Sequence, residues 1–575
     1  MQNESSGPQI IRFGTFELDV RAGELRNRGA KIKLQEQPLR ILEMLLAHPG
    51  QLVTREDLRD RLWPSDTFVD FDHGLNKAIN KLREALEDSA ESPRFVETIP
   101  RRGYRMISDA GKTSGRIESL AVLPLEDLAH DPAQEYFADG LTEALITNLA
   151  HISALRVTSR TTALMYKGAH KSIPEIAREL GVDGIVAGTV LRSKGRVRIS
   201  AQLISARDDT LLWAESYERN TRDILALQAD LARAIAAEIQ AKLTPREEAH
   251  LARVRPPVNP EAYEAYLMAR HYWGQRTAEG LKKGAEYFRQ AIDKDPAFAP
   301  AHAGLADMCA SAGVWGLVPP AEGAGKGKAL ARKALAIDET GEAHAALGWA
   351  ILLYDYDYAE AEKEFQQAIA LYPDYAFAHM WYGLCLCCAG RLEEALAHGR
   401  RGLQLDHLSP IVNMCYAFVI WILRDWDRCI DQCRRALDIN PDFLALRWML
   451  ANALQSKGSH EEAIRERQLV VDTSGSTLFL AELGSSYAAA GKRSEAVRIL
   501  DQLHELRGHK YVMAHSIALI HTGLRERDEA FRWLDMALEE RAASLTYVNV
   551  DPRLEYLRPD PRFQDLLDRM RPAHR

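Results

Sequence analysis

Four short segments of this 575-residue chain stand 34 residues apart, beginning at Ala334, Ala368, Gly402 and Ala436. They read Ala334-Leu-Ala-Ile-Asp338, Ala368-Ile-Ala-Leu-Tyr-Pro373, Gly402-Leu-Gln-Leu-Asp406 and Ala436-Leu-Asp-Ile-Asn-Pro441. A period of this length is one supersecondary unit, too small to bury its own apolar face, so successive units must stack. Between the markers runs a Gly-x-x-x-Glu-Ala pattern, clear in Ala389-Gly-Arg-Leu-Glu-Glu-Ala395 and Lys457-Gly-Ser-His-Glu-Glu-Ala463. Residues 261–540 are therefore predicted to form an all-α solenoid with a concave groove, and 541–575 a loop and short helix that caps it. Trp315–Pro320 and the Gly-rich 322–328 lengthen one repeat, and Leu408–Cys433 reads as a degenerate one.

This pattern resembles the tetratricopeptide repeat (TPR), which implies a groove that takes a protein or peptide partner. Trp349, Tyr354, Trp381, Tyr382, Trp421, Trp426 and Trp448 could line it, although aromatics at helical spacing mostly fill helix contacts. His302, His344 and His379 each fall early in a repeat, so repeat position explains them better than metal coordination. Gly323-Ala-Gly-Lys-Gly-Lys328 lacks the glycine spacing, the Ser/Thr and the preceding strand of a phosphate loop. All seven cysteines lie beyond residue 300 without zinc-finger spacing. Buried reduced thiols are the expectation, with a redox pair at Cys429 and Cys433 as the alternative. No metal and no cofactor is predicted.

A net charge of −8 excludes a protein that coats nucleic acid by bulk electrostatics, so any DNA contact needs a local basic surface. No apolar run approaches the ~20 residues of a membrane span, and the polar start Met1–Pro8 is no secretory signal, so no membrane contact and a cytoplasmic location are expected.

The first 110 residues combine short alternating strands with three helices. Leu39, Leu42, Leu45 and Leu46 mark the first helix, and Thr54 with Asp57 forms an N-cap box for the second. In the third, from about Asp72 to Glu87, Leu75, Ile79, Leu82 and Leu86 make one buried stripe. Its other face carries His73, Asn76, Lys77, Asn80, Lys81 and Glu84, and with Arg83 its amide and basic groups are assigned to meet base edges and phosphates. A hairpin follows, with Arg101, Arg102 and Tyr104 at its tip. The order of elements, Leu75-Asn-Lys-Ala-Ile-Asn-Lys-Leu-Arg-Glu-Ala-Leu86 and Arg102-Gly-Tyr-Arg105 resemble the OmpR/PhoB-type (CadC-like) winged helix-turn-helix. That resemblance implies double-stranded DNA as ligand, the third helix as recognition helix and the hairpin as wing, with self-association on tandem half-sites. Asn80 and Lys81 stand where relatives often carry arginine, which implies a different sequence preference. Too few residues precede this module for a receiver domain, so control independent of a phosphorelay is expected.

After a linker (111–117), residues 118–222 alternate strands and helices as a small α/β domain, followed by a connecting helix within 223–260. Ala121-Val-Leu-Pro124, Glu135-Tyr-Phe-Ala-Asp-Gly-Leu-Thr-Glu143 and Leu212-Trp-Ala-Glu-Ser-Tyr217 are similar to the TolB-like amino-terminal domain, which elsewhere joins outputs such as adenylyl cyclases to TPR repeats. Asp139, Gly140 and Glu143 read as a solvated helix face and Ser159–Thr162 as a polar loop, leaving no catalytic residue. The expected whole is a multidomain α+β chain: winged helix, α/β domain, TPR solenoid. The expected function is a one-component bacterial transcriptional regulator, with a TPR scaffold in which DNA binding is secondary as the alternative.

Overall fold

The computed structural model describes residues 10–571 except 14–15, 21, 28–29, 48–51, 63–70, 87, 90–92, 94, 100–101, 108–116, 130–134, 170, 194, 208, 240, 242, 246, 249–257 and 276. The chain divides into two compact units, Met1–Arg116 and Ile117–Arg575.

In the first unit, β1 (Ile10–Phe13), β2 (Phe16–Asp19), β3 (Glu24–Asn27) and β4 (Ala30–Ile32) form an antiparallel sheet in chain order. Then come α1 (Glu36–Ala47), β5 (Leu52–Thr54), α2 (Arg55–Leu62), α3 (Phe71–Ala85), β6 (Val96–Ile99) and β7 (Gly103–Met106). The stripe Leu75, Ile79, Leu82 and Leu86 meets Ile41, Leu42 and Leu45 of α1 in one core. Thr54 and Asp57 cap α2 reciprocally: the Asp57 N–H donates to Thr54 Oγ1 at 3.1 Å and the Thr54 N–H to Asp57 Oδ2 at 3.0 Å. The hairpin gains a third strand that the sequence reading lacked, β5 pairing antiparallel with β7. Gly103 is required there, because a Cβ would lie 2.1 Å from the Val53 carbonyl oxygen.

The second unit opens with β8 (Ser119–Val122), β9 (Glu126–Asp127), α4 (Glu135–Ala150), β10 (Arg156–Val157), α5 (Arg160–Leu164), α6 (Ile173–Leu180), β11 (Gly184–Ser193), β12 (Arg196–Ser205), β13 (Leu211–Asn220) and α7 (Ile224–Glu238). The sheet runs β10-β8-β11-β12-β13, with β9 also on β11. Strand alternation sends Leu120, Val122 and Val186 to the face covered by α4 and α7, and Ala121 and Ile185 to α6. Two expectations change here. The helix placed in a connecting segment, α7, buries Ile224, Leu227, Leu231 and Ile235 in the α/β core. The supposed polar loop opens α5, with Ser159 accepting at its N-terminus from the Thr162 N–H.

Eight helix pairs follow among the described residues: 260–274 with 278–294, 299–314 with 326–337, 341–354 with 358–371, 376–388 with 392–405, 410–422 with 426–439, 444–457 with 460–474, 477–489 with 493–506, and 514–523 with 527–539. The stretch read as degenerate is a regular pair. A side chain early in several first helices caps a carbonyl six residues upstream: His302 on Pro296 and His379 on Pro373, both at 3.0 Å, then Asn413 on His407 and Arg447 on Pro441. Repeat position thus accounts for two of the three histidines, and His344 pairs with Glu364 at 2.6 Å. The Gly-rich stretch packs helices: a Cβ on Gly323 would sit 2.9 Å from Gly313 Cα, and one on Gly327 2.8 Å from the Ala306 carbonyl oxygen.

The α/β module and the first repeats share one core. Phe137 of α4 meets Tyr263 edge-on at 6.4 Å, and Gly140 gives room to Leu267. Glu143 pairs with Arg270 and, at 3.1 Å, with Arg160; Arg192 pairs with Glu264. Gly140 and Glu143 therefore form a packed seam, Asp139 is buried against Lys167 at 2.6 Å, and the solvated-face reading of all three is corrected. Ser159 Oγ also donates to Asp406 Oδ1 at 2.6 Å, tying α5 to a later repeat.

The tail departs from a simple cap as well. The helix Pro561–Met570 does pack Phe563 and Leu566 against the last pair. Before it, residues 543–558 turn back along the first helices of earlier pairs. Tyr356 and Tyr358 donate to the Ala542 and Thr546 carbonyls at 2.9 and 2.8 Å, and Thr546 Oγ1 to the Leu352 carbonyl at 3.2 Å. Tyr547 meets Phe418 edge-on at 5.2 Å. Arg553 bonds Glu482 at 2.9 Å and Asp551 at 2.7 Å, with Arg467 3.1 Å from the same Glu482. The inner face of the repeats, expected to be an open groove, is in large part lined by the chain's own C-terminal segment.

Candidate nucleic-acid interface

The buried stripe of α3 fixes which side of the helix faces out. Asn76, Lys77, Asn80 and Glu84 are exposed and Lys81 is half-buried. Lys81 Nζ donates to Gln35 Oε1 at 2.6 Å, which holds its amine beside the start of α1. At the far end of the same surface Arg102 is exposed on the β6–β7 turn, its N–H donating to the Ile99 carbonyl at 3.0 Å. Amide donors and acceptors thus stand between two lysines and a wing arginine, a set able to meet both base edges and phosphate oxygens.

Two of the residues assigned to the interface have internal work instead. Arg83 is only 6% exposed, and its Nη2 donates to the Val96 carbonyl at 2.7 Å and Thr98 Oγ1 at 2.8 Å. It anchors the first wing strand to α3, so its assignment to the interface is corrected: it lies one residue past Leu82, on the core side. Tyr104 is likewise buried, and its hydroxyl donates to Asn76 Oδ1 at 2.9 Å. The side chain of His73 and the whole of Arg101 lie outside the described residues.

Sequence reasoning missed Arg55, the first residue of α2. Its Nη2 donates to Asn76 Oδ1 at 2.9 Å and to the Tyr104 hydroxyl at 3.2 Å, while its N–H donates to the Arg102 carbonyl at 3.1 Å. One guanidinium therefore joins α2, the outer face of α3 and the wing. With the Asn76 oxygen occupied from within, its amide NH2 is the group left to face a ligand. The available signal was Thr54-Arg-Glu-Asp57, where the cap box puts residue 55 at a helix start, yet its reach to α3 is tertiary.

Elsewhere no group of three or more His, Cys, Asp or Glu able to hold a metal occurs among the described residues. The cysteines carry free thiols; Cys429 and Cys433 are buried, and the hydrogen bond with Cys429, together with burial, pushes the Cys433 thiol well up, away from the reactive thiolate. No described helix is long and apolar enough to cross a membrane.

Residues 29–106 match the family described as "Transcriptional regulatory protein, C terminal", the OmpR/PhoB type. Residues 116–234, which resemble the TolB-like domain in sequence, match the second domain of HilA/YgeH-like transcriptional regulators. The chain is 23% identical over 463 residues to the transcriptional regulator HilA of Salmonella typhimurium, covering 78% of this chain and 80% of HilA. It is 40% identical over 133 residues to the cholera toxin transcriptional activator of Vibrio cholerae, 22% of this chain and 43% of that one. A Rhizobium meliloti protein named as a candidate adenylate cyclase is 39% identical over 187 residues, and the match spans only 32% of its length.

Proposed function

We propose that this chain, with an OmpR/PhoB-type regulatory domain at 29–106 followed by a HilA-like second domain, is a one-component transcriptional regulator that reads duplex DNA through α3 and the wing. The observation that carries the reading is the outward face of α3: Asn76, Lys77, Asn80 and Lys81, braced by Arg55 and flanked by Arg102. In this account Asn76 and Asn80 bond base edges, Lys77, Lys81 and Arg102 take phosphates, and Arg55 and Tyr104 position Asn76. The solenoid and α/β module, continuous through the Glu143 seam, form the input half. Protein partners and self-association on tandem half-sites belong to the same proposal, the sites being spaced by about one helical turn.

Fluorescence anisotropy with a duplex selected by the full chain tests the assignment. Lys81→Ala or Arg102→Ala is expected to weaken binding by about 1–2 kcal/mol with the fold intact. Unchanged affinity in both variants removes α3 and the wing from the interface and leaves the scaffold reading.

A further inference from the structure

The repeats leave a partly open cavity of about 1060 Å³ between their inner helices and the returning segment Ala543–Tyr547. Its walls are aromatic. Trp349 and Trp381 stack at 5.5 Å with an interplanar angle of 11°, and Trp315 meets Trp448 edge-on at 6.1 Å and Phe479 at 6.2 Å. Met414 lies among them. A volume at the upper end of small-molecule sites, with a largely apolar lining that includes several rings, is the form such sites take.

We infer that this cavity is a binding site for an uncharged, planar aromatic small molecule. Two observations select that class. First, the charges around the cavity cancel. Glu482 and Asp551 balance Arg467 and Arg553, Arg507 lies 2.9 Å from Glu540, and Asp442 and Lys510, both exposed, are opposite in sign. A charged ligand would lose its hydration with no net countercharge to replace it. Second, the lane along the first helices, which a peptide would occupy, is already taken by the start of the returning segment, held at Ala542 and Thr546 by hydrogen bonds with Tyr356, Tyr358 and Leu352. What remains beside it is a partly open space walled by rings and by the returning turn. Because the Ala543–Tyr547 turn forms one wall, a bound ligand also braces the tail against the repeats.

The test is calorimetric titration of the full chain with 2-acetylnaphthalene, and with the anion 2-naphthoate and the cation naphthylmethyl-trimethylammonium as charged counterparts. The neutral probe is expected to bind saturably, one per chain, at least about tenfold tighter than either ion, and to quench tryptophan fluorescence. Met414→Trp, which fills the space, should weaken it at least about tenfold with the helical spectrum retained. Leu317→Trp does the same from a partly exposed wall position and serves if the first variant misfolds. Absence of saturable binding, equal affinity for an ion, or affinity unmoved in a folded filling variant each overturns the inference.

Discussion

Arg553→Met is the sharpest perturbation of the tail's anchor. Its guanidinium lies between Glu482 and Asp551, at 2.9 and 2.7 Å, and all three side chains are at most 7% exposed. Arg467 completes a neutral cluster of two cations and two carboxylates. Burial alone would raise both carboxyl pKa values, yet the arginines hold Glu482 and Asp551 below the usual carboxylate range. Arg467, with one carboxylate set against its desolvation, is held down to about 10, whereas Arg553, between two, is raised. Deleting Arg553 leaves a net buried negative charge and removes the cation 5.3 Å from the Trp421 ring. Breaking a buried pair on one side costs about 3–5 kcal/mol, because the remaining charge is uncompensated. Asp551→Asn keeps the Oδ1 that accepts from the residue-553 N–H at 2.8 Å while deleting the extra charge. The double variant should therefore be more stable than Arg553→Met alone by about 1–3 kcal/mol. Amide hydrogen exchange over 543–558 reads both quantities as local opening free energies. A change under about 1 kcal/mol in Arg553→Met, or a double variant less stable than the single, would refute the idea that charge balance anchors the tail.

Acid should loosen the solenoid before its carboxylates titrate. Burial holds His515 and His379 at about 4, against an ordinary 6.5. Unfolded chains bind the proton first, so this stability is complete above pH ~6.5 and is lost as pH falls toward 4, by up to about 3 kcal/mol for each group. Urea midpoints across that range check it, and a flat profile in the wild type contradicts it. In the first unit, Arg83→Met should lower stability by about 2–4 kcal/mol by leaving the Val96 carbonyl and Thr98 without their donor, and thermal melts of the isolated signal from that unit would read it; a loss below 0.5 kcal/mol (roughly the scatter for surface changes) counts against its internal role. Lys77→Ala with Arg102→Ala should reduce the slope of log affinity against log salt by about 1.8, about 0.9 for each phosphate contact. That corresponds to about 3.5-fold per contact between roughly 50 and 200 mM salt, and an unchanged slope would place neither cation on phosphate.

Much of this architecture is legible in the sequence because its signals are local. The 34-residue markers, the Leu75-Ile79-Leu82-Leu86 stripe and the Thr54–Asp57 cap each depend on spacing within one or two elements, and each has its counterpart in the fold. The readings that changed are the tertiary ones. Arg83 follows the stripe by one residue, and only the approach of β6 decides that it points inward to the Val96 carbonyl. Glu143 and Asp139 look solvated on α4 until the 260–274 helix and Lys167 arrive to pair with them. Trp349, Trp381 and Trp448 face the cavity while Trp421 packs elsewhere under Arg553, a division that a list of aromatics at helical spacing does not contain. The return of 543–558 pairs residues up to 194 positions apart, beyond any repeat period.

The most direct test of the central claim is selection of genomic duplex fragments by the purified full chain, sequenced after washes at moderate and high salt. A DNA-reading regulator predicts enrichment of one short motif that survives the higher salt and disappears in Asn80→Ala with Lys81→Ala. Retention without a common motif, or a motif unchanged in that variant, would contradict recognition through α3.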